Sequence, residues 1–586
     1  MIIITEKPSV ARKISQFLSN NNYKKINFSK RVYYFQFKRD GENFYVVPSI
    51  GHLFTISDLN KKFTYPSFDY KWIPAYLEDK IYIKKIYIDM FSRFKNERNI
   101  VIATDYDIEG ELIGYNILRF IFGRTNAKRM IFSAITYQDI IKSFENLSNI
   151  NYSFALAGET RHIIDWLYGI NLSRALTRAI WHYNRRIYLS IGRVQGPTLR
   201  IVYEREKEIQ NFIPEEYYSI EVVIKKDNNL LKLKYEKERL KKEEAEEIKR
   251  NLGNFIKVIN IVSDRYHVSP PHPYNLTDIQ TDAYKLYKIS PKRTLDILQK
   301  LYEKGYISYP RTSSQRLPKT INFREIIENL SEISIYKEFS NILLKKSELI
   351  PNNGEKDDVH PAIHPTGVTP SGLNKKEFLI YDLVVRRFLA TFMDKALVET
   401  YKIVFEKRFY YKFDKILNKG WMIVYWNILK NNFEDYLFKT GEIYKIEKIN
   451  IKKKKTKPPP RYNQASLVKK MEELNLGTKS TRAEIVHILL KRGYLTGRSL
   501  KITDLGIEVI NIFDKYFPEI LDINLTRNLE INLEKLERNP DISLKEKIIN
   551  EVKEIIKNVT SEIKLKEDKI GMELYNKIKE SIKKSK

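Results

Sequence analysis

The sequence of 586 residues contains no cysteine. Disulfide bridges, thiolate-bound zinc modules and cysteine nucleophiles are therefore excluded from it. Long uncharged apolar runs are also missing. Met1 is followed by Ile2, Ile3 and Ile4, but Glu6 and Lys7 end the run at once, far short of a signal-peptide core or a membrane span. A soluble intracellular chain without membrane contact is expected. No internal repeat or low-complexity block is visible. A nucleotide-binding P-loop is absent too, because Gly477-Thr478-Lys479-Ser480-Thr481 lacks the required glycine spacing before it. Negative charge is in deficit, with 73 Asp and Glu against 103 Lys and Arg, a net charge of +30. That excess favours a polyanionic partner, most simply nucleic acid, although a generally basic surface gives the same total.

What is present is a folded, multidomain chain. Hydrophobic residues make up 42% of it, and 586 residues are too many for one core. From Met1 to about Ile150, the strands Ile2–Ile4, Phe44–Val47 and Asn99–Ala103 alternate with loops and helices, the last helix running from Leu112 to Phe122. This rhythm predicts an α/β domain with a parallel sheet. Asn151 to about Glu215 reads as helical. Tyr218, Ile220, Val222 and Ile224 then open a strand-rich region that turns through Pro270, Pro271 and Pro273. Helices follow to about Val398, and strands return at Tyr401–Phe405, Trp421–Trp426 and Ile443–Ile451. The simplest account is a β domain interrupted by a helical one. Lys452–Lys455 and Pro458–Pro460 end the second β piece as a connection, either solvated or touching a polyanion backbone. Val552, Ile555, Ile556, Val559 and Ile563 recur at helical spacing, and the lysine-rich end reads as a fraying tail.

Three motifs carry chemistry. Asp105-Tyr106-Asp107-Ile108-Glu109-Gly110-Glu111 follows a buried strand, where α/β domains place ligands. Carboxylates crowded in this way suit Mg²⁺, while an acidic helix N-terminus is the alternative reading. Glu6-Lys7 follows the first strand. If both strand ends share one sheet edge, Glu6 faces the acidic loop, where neighbouring carboxylates raise its pKa and fit it for general-acid work. Its alternative is a surface ion pair. In Gly305-Tyr306-Ile307-Ser308-Tyr309-Pro310-Arg311-Thr312, Pro310 keeps Tyr309 extended, so that Tyr309 and Arg311 project to one side. A tyrosine nucleophile beside a guanidinium suits attack on a phosphodiester; otherwise Tyr309 is one core aromatic among 39 tyrosines. Weaker elements are Ser190 to Thr198, the pair Arg161 and Asp165 on one helical face, and His360 with His364 between prolines. No further ligand cluster supports zinc at those histidines.

In this order the motifs resemble the type IA DNA topoisomerases, and within them the topoisomerase III-like branch, over roughly the whole chain. Glu6 to Ala11 resembles the opening of the family's Toprim domain, and Ile50-Gly51-His52-Leu53 its Gly-His element. The resemblance implies a metal set of Glu6, Asp105, Asp107 and Glu109. It implies a catalytic set of Tyr309, Glu6, Arg311, Lys7 and His360. DNA contacts are implied for His52, Arg161, Asp165, Ser190, Ile191, Gly192, Arg193, Val194 and Gln195. Pro458–Tyr462 and Gly477–Glu484 match the segment that re-enters the core. The sequence departs from the family's common pattern at Ile108, Ser313 and Asn463-Gln464, none of which removes a proposed catalytic group.

The implied fold is multidomain α/β plus α and β, a toroidal type IA core. Its Toprim domain would span 1–150, and a helical DNA-binding domain 151–215 with 456–560. A β-rich hinge arch would span 216–272 with 399–455, the helical tyrosine domain 273–398, and a basic tail 561–586. The implied activity is ATP-independent cutting of single-stranded DNA with a transient 5′-phosphotyrosyl link, strand passage and resealing. Mg²⁺ is the expected ion, Mn²⁺ a second candidate, with no ATP and no zinc. Single-stranded DNA is the expected partner and RNA a second candidate, with a helicase or single-strand-binding protein as a candidate assistant. The expected state is a monomer in the cytoplasm, on the nucleoid. Two rivals stay open: the topoisomerase half of a split reverse gyrase, and a non-enzymatic single-strand binder.

Overall fold

The computed structural model describes residues 1–60, 62–184, 188–357, 359–425 and 433–584. The N-terminal sheet holds β1 (Ile2–Thr5), β2 (Lys24–Asn27), β3 (Tyr33–Arg39), β4 (Glu42–Pro48), β7 (Ile100–Ala103), β8 (Lys128–Arg129) and β9 (Ser148–Asn149), in the order β2-β3-β4-β1-β7-β8-β9. Between them, β5 (Phe54–Asp58) and β6 (Tyr70–Pro74) form a separate hairpin. β1 lies between two parallel neighbours, with Thr5 level with Ala103 of β7 and Pro48 of β4. Side chains alternate across the strand. Ile2 and Ile4 pack into one core with Phe91 and Ile113, and Ile3 packs into the other with Val10 and Ile14. A strand covered on both faces needs no polar alternation, hence the run of isoleucines.

The sheet is mixed rather than parallel as the sequence rhythm suggested, because β2–β3, β3–β4 and β8–β9 pair antiparallel. The short outer strands carry charged residues among few apolar ones, so their pairing leaves no run to read.

Helix α1 (Pro8–Leu18) follows β1, with Pro8 in its first turn, where a missing N–H costs nothing. Helix α2 (Ile108–Ile117) follows β7 and is capped by the Asp107 carboxylate, which accepts from the Gly110 amide at 2.8 Å. A Cβ on Gly110 would lie 2.1 Å from the Asp105 carbonyl, so only glycine lets the acidic loop fold back this tightly. Helix α3 (Tyr152–Trp181), about 45 Å long by its rise, is buried along most of its length. It is followed by α4 (Gln195–Gln210).

Six strands then close a barrel in the order β10-β11-β14-β13-β12-β15. These are β10 (Glu216–Lys226), β11 (Asn229–Tyr235), β12 (Phe255–Val268), β13 (Ala396–Phe405), β14 (Phe409–Asn418) and β15 (Ile443–Lys455), around Val222, Leu233, Val258 and Phe405. Val268 at the end of β12 is paired with Ala396 at the start of β13. The helical insert between them therefore leaves and re-enters the barrel at one point. It includes α5 (Leu276–Tyr287), α6 (Pro291–Glu303) and α7 (Lys375–Thr391).

Three local expectations fail. Gly420–Tyr425 is a 3₁₀ turn and not a strand; Trp421 donates its indole N–H to the Val268 carbonyl, and Trp426 lies outside the described residues. Lys452–Lys455 is no connection but the end of β15, with Lys452 paired to Glu221 and Lys453 to Glu216 on β10. The basic tail from 561 is helical. After α8 (Arg482–Lys491), α9 (Ile523–Arg538) and α10 (Ile542–Leu565) comes α11 (Glu567–Lys584), which packs on α3 and buries Ile570 and Leu574. Apolar residues at helical spacing among the lysines overrode the charge.

Candidate active site

The level ends of β1 and β7 set Glu6 beside the acidic loop, and the insert brings Tyr309 against that loop. Asp107 is the meeting point. Its Oδ1 caps α2, and its Oδ2 accepts from the Tyr309 hydroxyl at 2.5 Å. Arg311 Nη1 stands 3.6 Å from the same Oδ2. The Tyr309 amide donates to the Ser133 carbonyl at 2.7 Å, and its ring packs on Tyr302 and His360 at centroid distances of 5.2 and 4.5 Å. Tyr309 is 1% exposed. Burial first, then the Asp107 charge, pushes its phenol well above its ordinary range, while Arg311 opposes. In this closed arrangement the phenol keeps its proton.

The acids behave in the same sense. Burial, then the Asp105 charge, raises Glu6 to about 8, against the pull of Lys7 and Arg311. Burial also raises Asp105. The Lys7 ammonium lies 2.8 Å from Glu303 Oε1 and 3.8 Å from Glu6 Oε1, and these carboxylates outweigh the burial that opposes its charge. His360 Nε2 donates to the Tyr106 carbonyl at 2.8 Å, so Nδ1 accepts from the Ser133 hydroxyl at 3.0 Å. Burial lowers its pKa to about 4, and the ring is neutral.

Glu111, the fourth carboxylate of the loop, lies outside this group. It forms a wholly buried pair with Arg129 at 2.8 Å, and Arg129 also donates to the Asp105 carbonyl at 3.0 Å. Glu109 turns from Tyr309 towards a different pair, accepting on one oxygen from His52 and His162, each at 2.9 Å.

A groove of about 610 Å³ runs alongside, lined by Glu109, Arg161, Asp165, the loop Ser190–Gln195, Lys292, Arg311 and Arg492 among others. Its arginines are internally paired. Arg193 donates from Nε to Asp165 at 2.9 Å and forms an ion pair with Glu530 at 2.8 Å, and Arg161 lies 3.1 Å from Glu530. Arg492 donates to the Ser190 carbonyl and to the Gln195 amide oxygen. Ile191 and Val194 are buried beneath the loop, shaping it without offering polar groups. His364 is buried apart, its Nδ1 on the Ala362 carbonyl.

Sequence reasoning missed Ser133, Gln299, Glu303, His162, Arg129, Arg492 and Glu530. Most meet their partners across more than a hundred residues of sequence, where spacing carries no information. Gln299 and Glu303 carry a faint trace, since they stand one helical turn apart just before Tyr309, reaching Asp105 and Lys7.

Buried carboxylates driven towards protonation fit a cation, whose charge would relieve both burial and mutual repulsion. Glu6 and Asp105 are buried and electrostatically coupled, with Asp107 in the same loop, and carboxylate oxygens of this kind are the donors Mg²⁺ accepts, although these three do not converge on one point in the closed arrangement.

A buried tyrosine on a helical insert that faces the N-terminal sheet fits a DNA topoisomerase, an isomerase, and similarity to known proteins shows that class. The family model described as DNA topoisomerase matches residues 149–541, and that of the Toprim domain residues 1–135. The chain is 42% identical to DNA topoisomerase 1 of Pyrococcus horikoshii over 98% of its own length and 86% of the relative's. It is 42% identical to DNA topoisomerase 1 of Methanocaldococcus jannaschii over 100% and 77%. The solved structure of full-length topoisomerase I from Thermotoga maritima superposes with a TM-score of 0.74 at 25% identity, covering 95% of this chain and 90% of that one. The chain belongs to the type IA DNA topoisomerase family, and its fold is the toroidal one of that family. Among the described residues, no helix is long and apolar enough to cross a membrane.

Proposed function

We propose that the chain cuts one strand of single-stranded DNA through Tyr309 in the presence of Mg²⁺ and without ATP, passes DNA through the gap and reseals it. Within its family the motifs favour a topoisomerase III-like enzyme. The observation that carries this reading is the hydrogen bond of Tyr309 to Asp107 inside a pocket that also holds Glu6, Lys7 and Arg311. A candidate nucleophile, an acid with a raised pKa and two cations are brought together, the groups that attack on a phosphate requires, and Arg311 of this group also lines the neighbouring groove.

In cleavage the Tyr309 oxygen bonds to phosphorus, the bond from phosphorus to the 3′-oxygen breaks, and Glu6 gives that oxygen its proton. The phenolic proton is accepted at Asp107 Oδ2, the atom already bonded to it, and lost from there to water, which leaves Asp107 ionised. Lys7 and Arg311 hold the non-bridging oxygens and offset their growing charge. His360, fixed by Tyr106 and Ser133, donates from Nε2 and supports the ring of Tyr309. Resealing is the reverse, with Glu6 accepting the proton of the 3′-hydroxyl. Asp105 and Asp107 would hold Mg²⁺, which supplies positive charge to phosphate oxygens. The groove beside Tyr309 would take the incoming strand, its Arg161 and Arg193 exchanging carboxylate partners for phosphates.

Labelled oligonucleotides test this directly. Wild-type enzyme should retain the downstream fragment through a 5′-phosphotyrosine and release the upstream fragment with a free 3′-hydroxyl. Tyr309→Phe should bind the same strand and form no adduct. A denaturant-resistant adduct in that variant would overturn the assignment.

A further inference from the structure

The mechanism leaves one constellation unused. Among the described residues, His52, Glu109 and His162 bring ligand atoms within 4.8 Å of one another. They come from three separate elements. His52 lies in the turn after β4, Glu109 in the first turn of α2, and His162 in α3. Both Nε2 atoms lie 2.9 Å from the same Glu109 oxygen, and the rings face each other at 4.8 Å with a 48° tilt. Ligands held about 2.0–2.1 Å from one ion in tetrahedral geometry are about 3.3 Å apart, so shifts of well under an ångström in each side chain would admit one. Two neutral imidazoles and one carboxylate offset half the charge of a divalent ion, an ordinary state for a site of this kind. Imidazole selects zinc-like first-row ions, whereas Mg²⁺ prefers oxygen and keeps its waters. Glu109 also lines the strand groove, so the site opens to solvent there.

We propose that His52, Glu109 and His162 form a second metal site, selective for a divalent first-row transition ion of the zinc class, which clamps the Toprim sheet to α3 at the groove wall. The expectation of no zinc rested on the missing cysteines and on His360 with His364, and this trio is neither. The inference does not depend on cleavage through Tyr309.

The full-length enzyme, stripped with chelator and kept in millimolar Mg²⁺, is titrated with Co²⁺ and followed by its visible absorption. The expected result is one Co²⁺ per chain, displaced by Zn²⁺. His52→Gln or His162→Gln should weaken binding more than about tenfold, since loss of even an outer-shell partner costs about that much. The Asp105→Asn/Asp107→Asn variant should bind as wild type does. Absence of stoichiometric binding to wild type overturns the proposal. So does loss of binding in the aspartate variant with retention in the histidine variants, which would place the ion at the Mg²⁺ position. If a histidine variant unfolds, wild type alone decides. Zn²⁺ should protect His52 and His162 from diethyl pyrocarbonate, read by peptide mass, and unprotected histidines would refute the site.

Discussion

Glu6→Gln removes the proposed proton donor while keeping the size of the side chain. Burial and the Asp105 charge raise Glu6 from 4.5 to about 8. At pH 7 a carboxyl of pKa about 8 holds its proton roughly nine-tenths of the time, against about 0.3% for one at its ordinary value of 4.5. The fold thus enlarges the donor population about 300-fold near neutrality. Because the pKa is raised, the proton is present below about 8 and lost above it in the metal-free site, and a bound cation moves that limit down, so the profile is read without Mg²⁺. Cleavage should therefore fall roughly tenfold per pH unit on the alkaline side, and resealing, which needs the carboxylate, should rise over the same range. Single-turnover adduct formation on an oligonucleotide from pH 6 to 10 reads the first limb. A substrate with sulfur in place of the bridging 3′-oxygen sharpens the test, because a thiolate leaves without a proton. It should restore cleavage to Glu6→Gln and flatten the wild-type alkaline limb. A variant that keeps the alkaline fall, or that gains nothing from the sulfur substrate, would show that Glu6 is not the donor.

Other outcomes follow from the same geometry. Replacing Asp105 and Asp107 together by Asn should abolish relaxation in Mg²⁺ while single-strand binding persists; unaltered relaxation would remove the metal from this site. Glu111→Ala strands Arg129, wholly buried like its partner, and should cost about 3–5 kcal/mol, read as lost hydrogen-exchange protection in β1 and β7. A cost below about 1 kcal/mol, the range of exposed pairs, would contradict that burial argument. Plasmid assays without ATP should show negative supercoils relaxed and positive ones left, since unpairing costs about 1.4 kcal/mol per step and only negative supercoiling offsets it. The rate should drop as salt rises, through counterion release, and a salt-independent rate would exclude phosphate contacts by the groove.

The central strands were legible because burial on both faces leaves an unmistakable signature. Ile2–Ile4 and Ile100–Ala103 are apolar throughout and are followed by the charged groups of the proposed site. Tyr309 and Arg311 were legible because Pro310 restricts the backbone between them. The interrupted barrel was legible in outline, from strands on either side of a helical stretch. What was hidden depends on distance. Glu109 sits in the acidic motif, yet its partner His162 arrives on a helix whose sequence reads only as a helix. Glu530 looks like any surface carboxylate of an amphipathic helix and is instead buried between Arg161 and Arg193. The terminal lysines concealed Ile570 and Leu574, since composition averages over the face that packs.

The polar contacts that align the site are also the ones that must part. Tyr309 to Asp107 and to the Ser133 carbonyl, His360 to Tyr106 and Ser133, and Lys7 to Glu303 all run between the N-terminal sheet domain and the insert. A hydrogen bond of this kind contributes only about 0.5–1.5 kcal/mol net, because water replaces it when the surfaces separate. Such polar contacts close the interface in one register and part at little cost, while the apolar contact of Phe132 and Ile135 with the cluster around Tyr306 and Ile307 sets the main resistance to opening. Gly305 marks how close the approach is, since a Cβ there would lie 2.6 Å from the Ile135 carbonyl. The insert enters and leaves the barrel at the single pair Val268 and Ala396, so the barrel can carry it away as a unit. In the proposed cycle, with the 5′-phosphate held on Tyr309, separation would move one DNA end with the insert and leave the 3′-hydroxyl beside Glu6. The chemistry would then be reset only when the same hydrogen bonds re-form, so that resealing would be confined to the closed state and the break would not be repaired while the gate is open.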